Sequence, residues 1–379
     1  MKKILVLLLA VVMVLALVAC GGNGGAEPPQ VETPAITTPN GNDTTPANIP
    51  EYITIGGEVI STLETWLNLM DMDLTNEDIE PLRYMVNLRG LFLDRNQISD
   101  ITPLTDLTSL VELFLSQNQI SDLTPLAGLT NLVELSSNHN QISDLTPLTD
   151  LTSLERLSLH DNQISDLTPL TDLTNLAELF LGQNQISDLT PLIGLTNLKM
   201  LHSSSNQISD LTSLTGLTNL VQLELHVNQI SDLTPLTGLT NLIWLDLGIN
   251  RISELTPLNG LTNLMGVDLH HNQISDLTPL TGLTNLTHLL LDQNNQIRDL
   301  TPLVELTDLT HLSLEQNQIS DLTPLAGLTN LTGLDLGINQ IRDLRPLTGL
   351  TNLHYLNLVE NPITDWSPVT HVEMVFGRP

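Results

Sequence analysis

Cys20, the only cysteine of the chain, closes the stretch "LVAC" at Leu17–Cys20, behind Lys2, Lys3 and an apolar run from Ile4 to Ala19. A thiol placed after a short apolar export segment can carry diacylglycerol once that segment is cut away, so Cys20 is the expected lipidation site. A second group could hold a cation. Glu224, Asp246 and Asp268 stand 22 residues apart, and His202, His226 and His270 accompany them. Neighbouring carboxylates repel, and a divalent ion shared with imidazoles would relieve that repulsion. Open faces also carry solvated histidines and acids that bind nothing, so these six are candidates only, and no metal or other cofactor is expected.

A third group suits recognition. Phe92, Phe114, Phe180, Trp244 and Tyr355, with His160, His202, His226, His270, His288 and His311, fall at recurring positions of a repeated unit. Aromatic rings gathered on one surface are better explained by a partner than by a core. Catalysis finds little support. His160 could pair with Asp161 or Ser158, but adjacent strand residues face opposite ways. No Gly-rich phosphate loop and no cysteine nucleophile occurs in the repeats, so the chain is expected not to be an enzyme.

Repetition positions these residues. "NQISDLTPL" begins at Asn118 and returns letter for letter at Asn140, Asn162, Asn184, Asn228, Asn272 and Asn317. Asparagines recur every 22 residues from Asn96 to Asn294, and the step to Asn317 carries one inserted residue. In "LERLSLHDNQISDLTPLTDLTN", Leu154, Leu157, Leu159, Ile164, Leu167, Leu170 and Leu173 cannot all be buried by one turn of chain. Turns stacked at ~4.8 Å give a parallel sheet on one side and a continuous leucine core behind it. The recurring asparagine is expected to bond backbone groups of neighbouring turns at a bend that no strand ladder serves. "SDLTPL" reads as a capped 3-10 turn with Pro fixing φ.

The glycines that follow, from Gly128 to Gly349, interchange with Asp106, Asp150 and Asp172, which suggests a left-handed turn. Residues flanking the inner strand leucines should face solvent, which would expose Phe92, Phe114 and Phe180. Trp66 and Trp366 are assigned to end-cap cores. Ser137 and Ser203 replace inner leucines and predict local packing defects.

A period of 22 with the pattern LxxLxLxxN is that of leucine-rich repeats. Thirteen copies of it, an irregular stretch containing "LTNEDIEPLRYM" and an exported N-terminus together resemble bacterial internalin-like leucine-rich repeat proteins over residues 51–379. The resemblance implies an α/β-type leucine-rich repeat solenoid of about 14 coils, with a parallel β-sheet on the concave face and short 3-10 or irregular turns on the convex face. It also implies a cell-surface protein that binds a partner through the concave sheet. Wall-sorted members end in an LPxTG motif, which this sequence does not show, in keeping with a lipid anchor.

The formal charge of −31, with Lys199 the only lysine beyond the first three residues, makes nucleic acid an improbable partner. Five domains are expected: a lipoprotein signal over 1–19, a lipidated Cys20 with a Pro/Gly/Thr-rich disordered tether over 20–50, a cap with an irregular first repeat over 51–86, the array over 87–361, and a C-terminal cap over 362–379. The leading functional expectation is a bacterial lipid-anchored, surface-exposed module that binds an extracellular protein, host proteins included, or a glycan. A structural envelope spacer and an acidic surface protein that binds divalent cations are the alternatives.

Overall fold

The computed structural model describes residues 49–378; the proposed signal peptide, Cys20 and all but the last two residues of the proposed tether lie outside them. From Ile49 the chain forms one unit. It opens with an antiparallel hairpin, Tyr52–Ile55 against Glu58–Ser61, whose Gly56 and Gly57 adopt φ of +57° and +85°. A short helix lies at Asn76–Ile79, where Asp78 Oδ2 accepts both the Thr75 amide at 2.8 Å and the Thr75 hydroxyl at 2.7 Å. The described residues also form a 15-stranded parallel sheet in strict chain order, which starts at Trp66–Asn68, ahead of that helix, and ends at Met374–Phe376.

Each strand is only three residues long over most of the array, and its middle residue is an inward leucine or valine. Register therefore stacks like on like: Leu223 pairs with Leu245, and Leu245 with Val267. Opposite the sheet, "TPL" forms one turn of 3-10 helix per coil. Asp122 Oδ1 accepts the amide of Thr124 at 2.8 Å, and the same contact recurs at Asp144, Asp166 and Asp188. This closes the turn and, through the Thr side chains first and the backbone second, lowers the pKa of each of these aspartates.

The recurring asparagines work as hubs. Asn250 Nδ2 donates to the carbonyls of Leu225 and Leu247, both at 3.0 Å, and its Oδ1 accepts the Ile230 amide at 2.9 Å. A second ladder escaped the sequence reading: in "LTN" the asparagine side chain bonds a threonine carbonyl one coil back, as in Asn241 Nδ2 to Thr218 O at 2.9 Å.

Two expectations need correction. The glycines Gly128 to Gly349 are not left-handed; positive φ falls on the residue before each hub, including Val227 at +55°, Ile249 at +53° and Ile338 at +52°. Stacking forces that bend, since the Val227 amide must reach Gly248 O at 2.9 Å. Trp66 is not end-cap core but occupies the first strand of the sheet with 49% of its surface exposed, whereas Trp366 does pack on the core.

Ser137 and Ser203 are fully buried in the inner leucine column, each within reach of a hub asparagine: Asn140 Nδ2 to Ser137 Oγ is 3.2 Å and Asn206 Nδ2 to Ser203 Oγ is 3.3 Å. Leu181 and Leu225 fill the same position on the coils either side of Ser203. Ser203→Leu is expected to raise the unfolding free energy by about 1–2 kcal/mol. An unchanged or lower melting temperature would show that the column has already closed around the serine.

Candidate recognition face

The solvent side of the sheet is written in columns. One column precedes the inner leucine and holds Trp66, Trp244, His288, His311 and Tyr355; the next follows it and holds Phe92, Phe114, Phe180, His202, Glu224, Asp246 and Asp268. A third, two residues further on, holds His160, Ser204, His226, His270 and Asp292. Every one of these side chains lies on the sheet face because strand residues alternate.

The phenylalanines are half-buried rather than exposed, because rings one coil apart cover one another. Phe92 and Phe114 stack at 4.9 Å with an interplanar angle of 8°, and Trp66 extends the row at 6.3 Å. Phe180 meets His202 edge-on at 4.7 Å, His288 stacks on His311 at 4.7 Å, and Trp244 tilts toward His288 at 6.4 Å. Tyr355 packs beside Phe376 at 5.5 Å, and His160 beside His139 at 5.3 Å. Glycines give the larger rings a floor. A Cβ on Gly90 would fall 2.0 Å from Trp66 Cε3, and one on Gly266 would fall 2.1 Å from Trp244 Cζ3, so each indole lies where a side chain would otherwise stand.

The six metal candidates resolve into pairs, not into one coordination shell. His202 Nδ1 lies 3.6 Å from Glu224, His226 Nδ1 3.0 Å from Asp246 and His270 Nδ1 2.7 Å from Asp268. Among the described residues, no group of three or more His, Cys, Asp or Glu side chains is placed to hold a metal ion. The hydrogen bond His270 makes to Asp268, and the charge of that carboxylate, raise the pKa of His270, and the Asp246 carboxylate 3.0 Å from Nδ1 raises that of His226. Burial lowers the pKa of His160, His202, His288 and His311, favouring their neutral forms.

The two halves of the face differ in charge. Arg156 bridges Glu134 at 2.6 Å and Glu178 at 2.7 Å across three coils, so the early acids have a cation among them. Later acids do not. Asp292 is the extreme case: burial pushes its carboxyl up to about 6, although Ser313 Oγ and the Glu315 amide both donate to it. The unfolded carboxyl releases its proton near 3.8, so this contribution costs nothing below that pH, grows as pH rises toward 6 and is constant above. Asp292→Asn keeps an acceptor for both donors. It is expected to stabilise the fold by about 1–3 kcal/mol at pH 8 and by far less at pH 4, which urea titrations at the two pH values would check.

Trp66, Asp292 and the Arg156 bridge were missed by sequence reasoning. The glycines at Gly90 and Gly266, one coil beyond a tryptophan in the same column, were the available signal for the first.

A shallow groove lined by Leu63, Thr65, Arg89 and Val111 lies on the flank of the first coils, away from the histidine–acid columns. Among the described residues, no helix is long and apolar enough to cross a membrane.

The family described as Leucine Rich repeats (2 copies) matches residues 86–194 in overlapping stretches, then 196–238, 240–282, 284–327 and 329–371. No curated protein matches the chain. Among solved structures, an internalin (inlF) of Listeria monocytogenes is 34% identical, with 85% of this chain and 90% of that one covered and a TM-score of 0.69. A leucine-rich repeat protein of Leptospira interrogans is 28% identical over 78% of this chain and 80% of its own, with a TM-score of 0.74. The functional domain of InlJ from Listeria monocytogenes, at 22% identity, 83% and 73% coverage and a TM-score of 0.71, shares the fold. With the repeat signature matched across most of its length and an internalin aligned over nearly the whole of that relative, the chain belongs to the leucine-rich repeat family, in its internalin-like form.

Proposed function

We propose that the protein is a non-catalytic binding module, lipid-anchored to the bacterial envelope through Cys20 and held outward by residues 21–50, that recognises an extracellular protein or glycan through the sheet face. The observation that carries this reading is the aromatic set. Phe92, Phe114, Phe180 and Trp244 remain partly accessible on a face whose neighbouring columns are polar, and two glycines are spent on making room for indoles. A scaffold needs none of these rings for its own core, which is complete in leucine and isoleucine behind the sheet. A spacer would tolerate serine at all four positions.

The test is attachment of the full-length protein to a panel of host cells, matrix proteins and glycans, beside the variant carrying Phe92→Ser, Phe114→Ser, Phe180→Ser and Trp244→Ser. Attachment is expected to fall by about 100-fold with the circular dichroism spectrum retained. Undiminished attachment, or none by either protein, would favour the spacer. Loss of membrane partitioning in Cys20→Ala tests the anchor separately.

A further inference from the structure

Among the described residues, the buried side-chain polar atoms without a hydrogen-bond partner fall in one place: His202 Nε2, Ser204 Oγ and His226 Nδ1. His202 and Ser204 stand on one coil, and Glu224 and His226 fill the same two columns on the next. Asp246 follows Glu224 in register. Ser204 is only 8% exposed. Its column is the one from which Ser116 bonds Ser136 at 2.9 Å and Asn138 bonds Ser158 at 2.7 Å, so Ser204 Oγ faces the sheet side beside His202 and Glu224. His226 Nδ1 has the Asp246 carboxylate 3.0 Å away as an ion-pair partner, so His202 Nε2 and Ser204 Oγ are the two atoms left unserved. Elsewhere the fold satisfies its bends with two asparagine ladders, so two orphaned atoms side by side call for a ligand that supplies the missing bonds.

The missing groups are donors carrying positive charge. Glu224 Oε1 already accepts from Gln222 Nε2 at 2.7 Å, which leaves its other oxygen facing His202. A neutral His202 with its Nδ1 proton toward Glu224 offers Nε2 as an acceptor. The strands and following bends from Gln222 to Glu360 present Glu224, Asp246, Asp268, Asp292, Glu315 and Asp335 but no Lys or Arg; Arg251, Arg298, Arg342 and Arg345 belong to the return segments.

We propose that this spot anchors an arginine side chain of a basic polypeptide segment, the guanidinium donating to Glu224, Ser204 Oγ and His202 Nε2 with Asp246 alongside. Five donors in a planar fork match several converging acceptors in a way that a lysine ammonium does not. The inference rests on the sheet-face reading above and specifies the chemistry of the partner.

Calorimetry on the full-length protein tests it with three probes: a short synthetic peptide alternating Arg and Ser, its Lys and Ser counterpart, and zinc chloride alone. The arginine peptide is expected to bind about tenfold tighter than the lysine peptide. Glu224→Gln with Asp246→Asn should weaken it by about tenfold or more, and Ser204→Ala by a few fold. Asp122→Asn with Asp144→Asn, on the opposite face, should leave it unchanged. Equal binding of the two peptides, or equal loss from the opposite-face variant, would reduce the interaction to diffuse charge attraction and overturn the inference. Zinc heat that disappears in His202→Ala would assign the spot to a metal and overturn it as well. If a panel partner attaches through the aromatic row while the arginine peptide does not bind, this inference falls and the recognition reading stands; if neither binds, both fall.

Discussion

Asn250→Ala is expected to lower the unfolding free energy by about 2 kcal/mol, within the range for a buried polar group left unsatisfied. Asn250 is 8% exposed, and its side chain serves the carbonyls of Leu225 and Leu247 and the amide of Ile230. Alanine would strand the Ile230 amide where water enters poorly and leave each carbonyl with a single asparagine donor, Asn228 on Leu225 O and Asn272 on Leu247 O. The loss should also propagate, because each coil of a solenoid is stabilised chiefly by its neighbours. Urea titration is therefore expected to show a lower midpoint and a broader transition. Asn241→Ala is the matched control: it removes one exposed bond, to Thr218 O, and should cost no more than about 1 kcal/mol. Equal losses from the two substitutions would deny the inner ladder its special role.

Gly266→Val should dislodge Trp244. The new Cβ would sit 2.1 Å from Cζ3 and 2.2 Å from Cε3 of the indole, inside any tolerable contact, so the ring must swing off the sheet into water. The folded chain is expected to lose about 1–3 kcal/mol. In a background carrying Trp66→Phe and Trp366→Phe, Trp244 is the only remaining tryptophan, and its emission should shift to the red. Partner attachment should fall as far as it does in Trp244→Ala. An unshifted emission maximum would show that the glycine is not the floor on which the ring rests.

Much of the fold was legible because a strict period carries register with it. Once the asparagines are aligned, the coil, the sheet and the inward leucines follow from burial alone. The location of the left-handed bend was not legible, since local propensity points to glycine while the bend falls on Val227, Ile249 and Ile338 among others. There the stack decides: backbone bonding between coils outweighs the strain of a β-branched residue at positive φ. The face was legible as columns but not as contacts. Phe92 and Phe114 share a column in the sequence, yet only the structure shows them covering one another instead of standing free. The burial of Asp292 was likewise hidden, because its column also accepts Ser204, Gly248 and His270, and the depth of a side chain there depends on what neighbouring coils carry.

The central claim is that partners meet the sheet face and not the 3-10 face. Covalent side-chain footprinting of the full-length protein, free and attached to whichever partner the panel identifies, tests it most directly. Protection is expected at Trp66, Phe114, His202, Trp244 and Tyr355, with Ile193 and Val304, which are exposed outside the strands, labelled equally in both states. Protection of Ile193 and Val304 with the sheet-face residues still labelled would contradict the account.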